Sequence, residues 1–186
     1  YHATPIWAAC GKDGVQLGIA GKGERLCFSA EVLIDATGDA DLTTMCGFAT
    51  ERSETLQPAT LIQDIAGYDL DKIDAGKVAE LYAAALANGT LAEGDLQYND
   101  PMKAFLDGRI SMHIGGYDAS TLAGKTALEL AARAVLKRIL LFLRTVPGAE
   151  GAYVRSFAPE CGVRETKRII GEGRMSVEHY LSGYVY

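Results

Sequence analysis

Apolar residues gather at the start of this chain in short blocks separated by glycine turns. TPIWAAC, VQLGIA, LCFSA and EVLIDA are the apolar runs between residues 4 and 36, with GKDG and GKGER between the first three. Runs of this length broken by tight glycine turns predict a β-meander. The fourth run differs from the others. Val32, Leu33 and Ile34 are consecutive, which suits a strand buried on both faces. Gly38 and Asp39 break that strand. DADLTTMCG then fits a short helix that Asp39 can cap and Gly47 can end. Strand, glycine turn and helix in close succession form an α/β signature.

The pattern changes after residue 47. FATERSETLQP is polar and punctuated, and reads as a linker or domain crossing. ATLIQDIAGYD reads as a strand. From Asp69 to Asn88, Leu70, Ile73, Val78, Leu81, Tyr82 and Leu86 recur at helical spacing despite Gly76. Residues 90–107 carry Pro101 and YND, and read as irregular. GRISMHIGG predicts a short strand with Arg109, Ser111 and His113 on one face and Ile110, Met112 and Ile114 on the other. The clearest helix runs from Ser120 to Arg144. Lys125, Glu129, Arg133 and Lys137 mark its wet stripe, and Leu128, Leu130, Ala131, Val135, Ile139, Leu140 and Phe142 its buried side. Pro147 and Gly148 stop it. AYVRSFAP predicts a further strand, and SVEHYLSG a final short helix capped by Ser176. There is no internal repeat and no low-complexity segment.

Composition adds limits. With 48% apolar residues in 186, a packed core is expected. A formal charge of -6 argues against a surface built for nucleic-acid phosphates or anionic lipid, so neither nucleic acid nor membrane is expected as a partner. Cys10, Cys27, Cys46 and Cys161 lie far apart, with no CxxC pair and no histidine at zinc spacing. They read as reduced, mostly buried cysteines of a cytoplasmic protein, and no metal site is expected. The longest apolar run near a helix, ILLFL, is far below the roughly 20 residues of a membrane span. The first residue is Tyr rather than Met, which a processed product, a designed chain or a fragment would each explain.

The segment EVLIDATGDADL is the first candidate for chemistry. In open α/β sheets the C-terminal ends of strands face the ligand crevice, and a glycine there lets backbone N–H groups approach a cofactor. A helix start beyond it favours an anion such as pyrophosphate, but Asp39 and Asp41 would repel one. A carboxylate here would sooner cap the helix or accept a bond from a ribose hydroxyl. On spacing alone, a tight turn with a capping aspartate and no ligand is the favoured reading. RETKR is the second candidate. If extended, Arg164, Thr166 and Arg168 share a face; if helical, Arg164 pairs with Lys167 and Arg168. Either way a cationic spot results, suited to an anionic group such as a substrate carboxylate, or salt-bridged to Glu160, Glu165 or Glu172. His113 and His179 have no carboxylate at a telling spacing and read as structural or surface. Cys161 reads as a small buried residue, and Trp7 as core of the meander.

Two segments carry a resemblance. AEVLIDATGDADL is similar to the ATG-type segment of flavoproteins with a Rossmann-like FAD domain, and more narrowly to FAD-dependent oxidoreductases that read IDATGDGDLA. CGVRETKRIIGE, residues 161–172, resembles the GVRETRRIIGEY segment of that family. The likeness covers 1–47 and 151–180; the middle agrees only in general character. It implies an α/β chain with α+β character, in which a β-meander and a late strand of an FAD-binding domain join a mixed sheet-plus-helix substrate domain. Residues 1–47 would be the partial FAD-binding domain and 48–186 the substrate or cap domain. FAD is the implied cofactor and a small organic molecule the implied substrate. Ala36, Thr37, Gly38 and Asp39 would lie beside the cofactor, and Arg164 and Arg168 would be the catalytic pair near flavin or substrate. Lys167 stands where the family usually has Arg, and GEGR departs from GEY by losing the aromatic residue.

The chain contains no GxGxxG. On this resemblance the pyrophosphate loop is expected upstream of Tyr1 and a further FAD-contacting segment downstream of Tyr186. The chain is then an interior fragment, inactive by itself and with weak or no FAD binding. Apolar surface is expected where missing parts would dock, and homo-oligomers are left open. The rival reading is a non-catalytic α/β binding or assembly module.

Overall fold

The computed structural model describes residues 2–96 and 99–184. The chain forms two compact units. Unit 1 is Tyr1–Glu54 with Lys167–Tyr186, and unit 2 is Thr55–Thr166.

Unit 1 begins with the expected meander. β1 (Thr4–Gly11), β2 (Gly14–Gly21) and β3 (Glu24–Ala30) form one antiparallel sheet in that order. Trp7 lies over Gly18, where a side chain would collide with the indole. It is 39% exposed, so it covers the sheet rather than filling a core. The fourth strand expected at 31–36 does not form. These residues join no ladder, and Val32 and Ile34 are 75% and 80% exposed. A strand needs a neighbour to take its amides and carbonyls, and among the described residues none lies alongside this one.

The helix after the turn is α1 (Asp41–Met45), shorter than the sequence suggests. Its N-cap is Ala40, not Asp39, and Ala40 adopts a left-handed conformation with φ 55°. Gly47, with φ 79°, follows the C-cap Cys46, as expected of a glycine stop. The stretch read as a linker holds β4 (Thr50–Glu51), which pairs antiparallel with β8 (Arg168–Ile169). This ladder brings the end of the chain back to the first unit, so the compact units do not divide at 47/48. α5 (Val177–Ser182) closes the described chain, with Ser176 and His179 forming a reciprocal capping box.

Unit 2 is built on a three-stranded antiparallel sheet. β5 (Ala59–Ala66) is central, between β6 (Arg109–Ile114) and β7 (Tyr153–Phe157). Residues alternate along β5 and β6, so Leu61, Ile65, Ile110, Met112 and Ile114 are buried. They share one core with α2 (Ala75–Ala87), α3 (Pro101–Asp107) and α4 (Leu122–Leu143). The helix expected over 69–88 is two pieces. A 3-10 turn over Leu70–Lys72 ends at Ile73, and α2 starts afresh because the Asp74 carboxylate accepts the Lys77 N–H at 2.7 Å.

The segment read as irregular holds α3. Asp100 caps it by accepting from Met102 and Lys103, and Pro101 occupies the first turn, where no N–H is needed. Gln97 and Tyr98 of that segment lie outside the described residues. On α4 the buried stripe is Leu128, Ala132, Val135, Ile139, Phe142 and Leu143. Leu130, read as core, is 67% exposed. Glu129 and Arg133, read as wet, are half-buried. Among the described residues no helix is long and apolar enough to cross a membrane.

Candidate functional site

Asp35 organises the turn that the sequence singled out. Its Oδ1 accepts the Thr37 N–H at 3.1 Å and the Thr37 hydroxyl at 2.7 Å. Its Oδ2 accepts the Thr43 N–H at 2.8 Å and the Thr43 hydroxyl at 2.7 Å. The Thr37 hydroxyl in turn accepts the Asp41 N–H at 3.0 Å. One carboxylate thus ties the extended segment, the turn and α1 together. Burial pushes the Asp35 pKa up, but the bonds from Thr43 and Thr37 outweigh it and bring the carboxyl from 3.8 down to about 2.

This geometry settles what α1 can do. Two of its orphan N–H groups, on Asp41 and Thr43, are already taken by Thr37 and Asp35. The turn therefore gives two of its helix donors to its own side chains, which leaves it a poorer phosphate cradle than a free helix start. Gly38 lies at its crest with φ 83°, and a side chain built there would meet no atom within 4 Å. The requirement for glycine is conformational, and the space above it is open. Ala36 and Gly38 are exposed, and Thr37 and Asp39 half-buried.

The second motif meets the first at Lys167. Its ammonium donates to the Thr44 hydroxyl of α1 at 3.2 Å, and that hydroxyl donates to the Ala40 carbonyl at 2.8 Å. Arg168 is engaged by Glu51 at 3.0 Å and donates to the Ser53 hydroxyl at 3.2 Å; Arg174 reaches the same carboxylate at 3.3 Å. The Glu51 partner replaces the acidic residues considered from the sequence. Thr166 is buried at 1% exposure, whereas Arg164 and Arg168 are exposed. The segment is thus neither a helix nor one flat strand with all three on a face. Arg164 belongs to unit 2 and Arg168 to unit 1.

Two further features belong to unit 2. Cys161 is buried, and its N–H donates to Glu129 at 2.6 Å, while Arg133 bonds the same carboxylate. Burial, then the Glu129 charge, pushes the Cys161 thiol up to about 11, so it stays protonated near neutral pH. On the sheet's other face Asp64 accepts from Arg109 at 3.1 Å and Ser156 at 2.8 Å, which lowers its pKa. His113 is exposed on that same face of β6, and His179 stacks on Tyr184 at 4.7 Å. Among the described residues no group of His, Cys, Asp and Glu could hold a metal ion.

A family model for FAD dependent oxidoreductases matches residues 1–185. The chain belongs to that family. No curated protein and no solved structure matches it. The mixed helices and antiparallel sheets agree with the α/β character read from the sequence, and FAD is the cofactor that membership implies. The turn of this FAD-dependent oxidoreductase fits one part of that cofactor better than another. An open glycine crest admits close approach of a flat or hydroxylated edge, whereas two of the N–H groups at the start of α1 that a diphosphate would use are already taken.

Sequence reasoning passed over Asp35, counted only as the end of a strand. The signal was present in Asp-x-Thr, a spacing at which the carboxylate can accept from a backbone two residues on. Its bonds to Thr43 needed the folded turn. Asp64 was likewise invisible, because its partners lie on two other strands.

Proposed function

We propose that this chain is part of an oxidoreductase in which FAD takes a hydride or electron pair from a small organic substrate. The ADP part of the cofactor lies against Ala36, Thr37, Gly38 and Asp39 of unit 1. Bound FAD would supply the redox chemistry, and the chain would supply orientation and electrostatics. Asp35 holds the turn, and Gly38 leaves room for close approach. Arg164 is the better candidate for a substrate carboxylate or the flavin, since the Arg168 charge is already offset by Glu51. A cytoplasmic setting is supported by four cysteines that are all free.

The observation that carries the reading is the family match over residues 1–185, joined to a turn whose glycine crest is open. The test is the visible spectrum of the purified full-length protein, with thermal shift on adding FAD. Flavin absorbance, or a shift that Gly38→Val abolishes, supports it. A colourless protein with no shift removes the cofactor and leaves a non-catalytic module. Within a flavin-containing protein, Arg164→Gln is expected to raise KM for an acidic substrate at least tenfold, with a smaller effect from Arg168→Gln.

A further inference from the structure

The four free cysteines are sorted by the fold. Cys161 is shut into unit 2 against Glu129. The other three lie in unit 1. Cys10 on β1 stands opposite Val15, on the same face as the buried Ala8, and α1 packs against β1. Cys27 on β3 stands opposite Gly18, which stands opposite Trp7, so it belongs to the other face of the sheet. Cys46 follows the last residue of α1. Cys10 on β1 is among the groups that act on its thiol, as the packing of α1 on β1 allows. Burial, then Cys10, then the Asp35 charge push Cys46 up to about 11, which keeps it protonated near neutral pH. Cys10 is exposed and lines an open cleft of about 310 Å³ around the β1–β2 turn, together with Lys12, Asp13 and Ser29.

We propose that Cys10 and Cys46 are a dithiol pair that closes to an intramolecular disulfide under peroxide, fastening α1 and the Asp35 turn to the meander. The accessible Cys10 reacts first. Its sulfur attacks one oxygen of hydrogen peroxide, the O–O bond breaks, water is released and a sulfenic acid forms. The Cys46 sulfur then displaces the sulfenic oxygen, which leaves as a second water carrying the Cys46 proton. Two thiols are oxidised and one peroxide is reduced to two waters. A small thiol reductant reverses the bond by exchange. Cys27 and Cys161 are left out because one faces away and the other is enclosed. This pair stands apart from the cofactor reading and does not depend on it.

The test is intact mass and peptide mapping of the chain after hydrogen peroxide and then alkylation. The wild type and Cys27→Ser are expected to lose two hydrogens, give a linked Cys10–Cys46 peptide, and recover both thiols with dithiothreitol. Cys46→Ser is expected to give no linked peptide and to carry added oxygen at Cys10, with an unchanged circular dichroism spectrum. Oxygen addition without loss of two hydrogens in the wild type, a link to Cys27, or a link between chains would overturn the pairing. The Cys27→Ser arm keeps the test decisive if Cys46→Ser does not fold.

Discussion

The two units of this chain are held together in different ways. Unit 2 encloses a continuous apolar core drawn from three helices and a sheet, with Leu61, Met112, Leu128 and Ile139 almost wholly removed from water. Unit 1 buries Ala8, Ala40 and Leu42 and little else that is apolar. Its central turn is set instead by one carboxylate with four hydrogen bonds. The hydrophobic effect is non-directional and tolerates small shifts of backbone. Charge-assisted hydrogen bonds fix donors to within a few tenths of an ångström and fail as a set. A region that must present a turn in one shape is better served by the second device.

The largest effect should come from the core of unit 2. Leu61→Ala leaves a cavity at a site with 0% exposure and is expected to cost about 3 kcal/mol. Trp7 is the single tryptophan and lies in unit 1, so its emission reports that unit. The helical circular dichroism transition should fall by more than the Trp7 transition. Equal shifts in both would show the two units melting as one block and would break the comparison.

Asp35→Asn comes next. An amide can accept through one oxygen only, and its own N–H groups then face Thr N–H donors. A loss of about 2 kcal/mol is expected, read as faster hydrogen exchange over 41–45 and an earlier Trp7 transition, with unit 2 unchanged. Acid should act through the same group. The folded pKa of about 2 lies below the ordinary 3.8, so the stabilisation is full above pH 4 and is lost as pH falls toward 2. Screening at this half-buried site holds the effect to about 1–2 kcal/mol. Titrating Trp7 emission in wild type and Asp35→Asn should show that the variant lacks this step.

The smallest effect sharpens the contrast from the other side. Gln63 is 1% exposed in the apolar core, and neither amide atom has a partner among the described residues. Gln63→Met keeps the volume and removes the orphaned groups. A gain of about 1 kcal/mol is expected in denaturant unfolding of unit 2. A loss instead would show that the amide is satisfied in solution and that this core also relies on directed polar bonds.

Much of unit 2 was legible along the chain because its elements obey a period. β6 alternates as read, and α4 begins and ends where its cap and Pro147 require. The errors came where one period allowed two readings. Leu130 fits an apolar stripe by composition, yet the stripe that faces the sheet runs through Ala132 and Val135. α3 was missed because Pro101 was read as a breaker, although proline is at home in a first helical turn. In unit 1 the meander was legible from its turns. The strand over 31–36 was not there to be read, since apolar residues supply propensity and only a neighbour supplies a ladder.

The residues of this chain by themselves determined the meander and its glycine turns, the alternation of β6, the long helix α4, the Ser176 cap of α5 and the two segments that mark its family. These depend on neighbours a few positions away, so they are written locally. Only the tertiary structure decided that Lys167 reaches Thr44 and that Arg168 answers to Glu51. Those meetings join residues far apart in the chain, and chain order carries no distance between such residues until the backbone has folded.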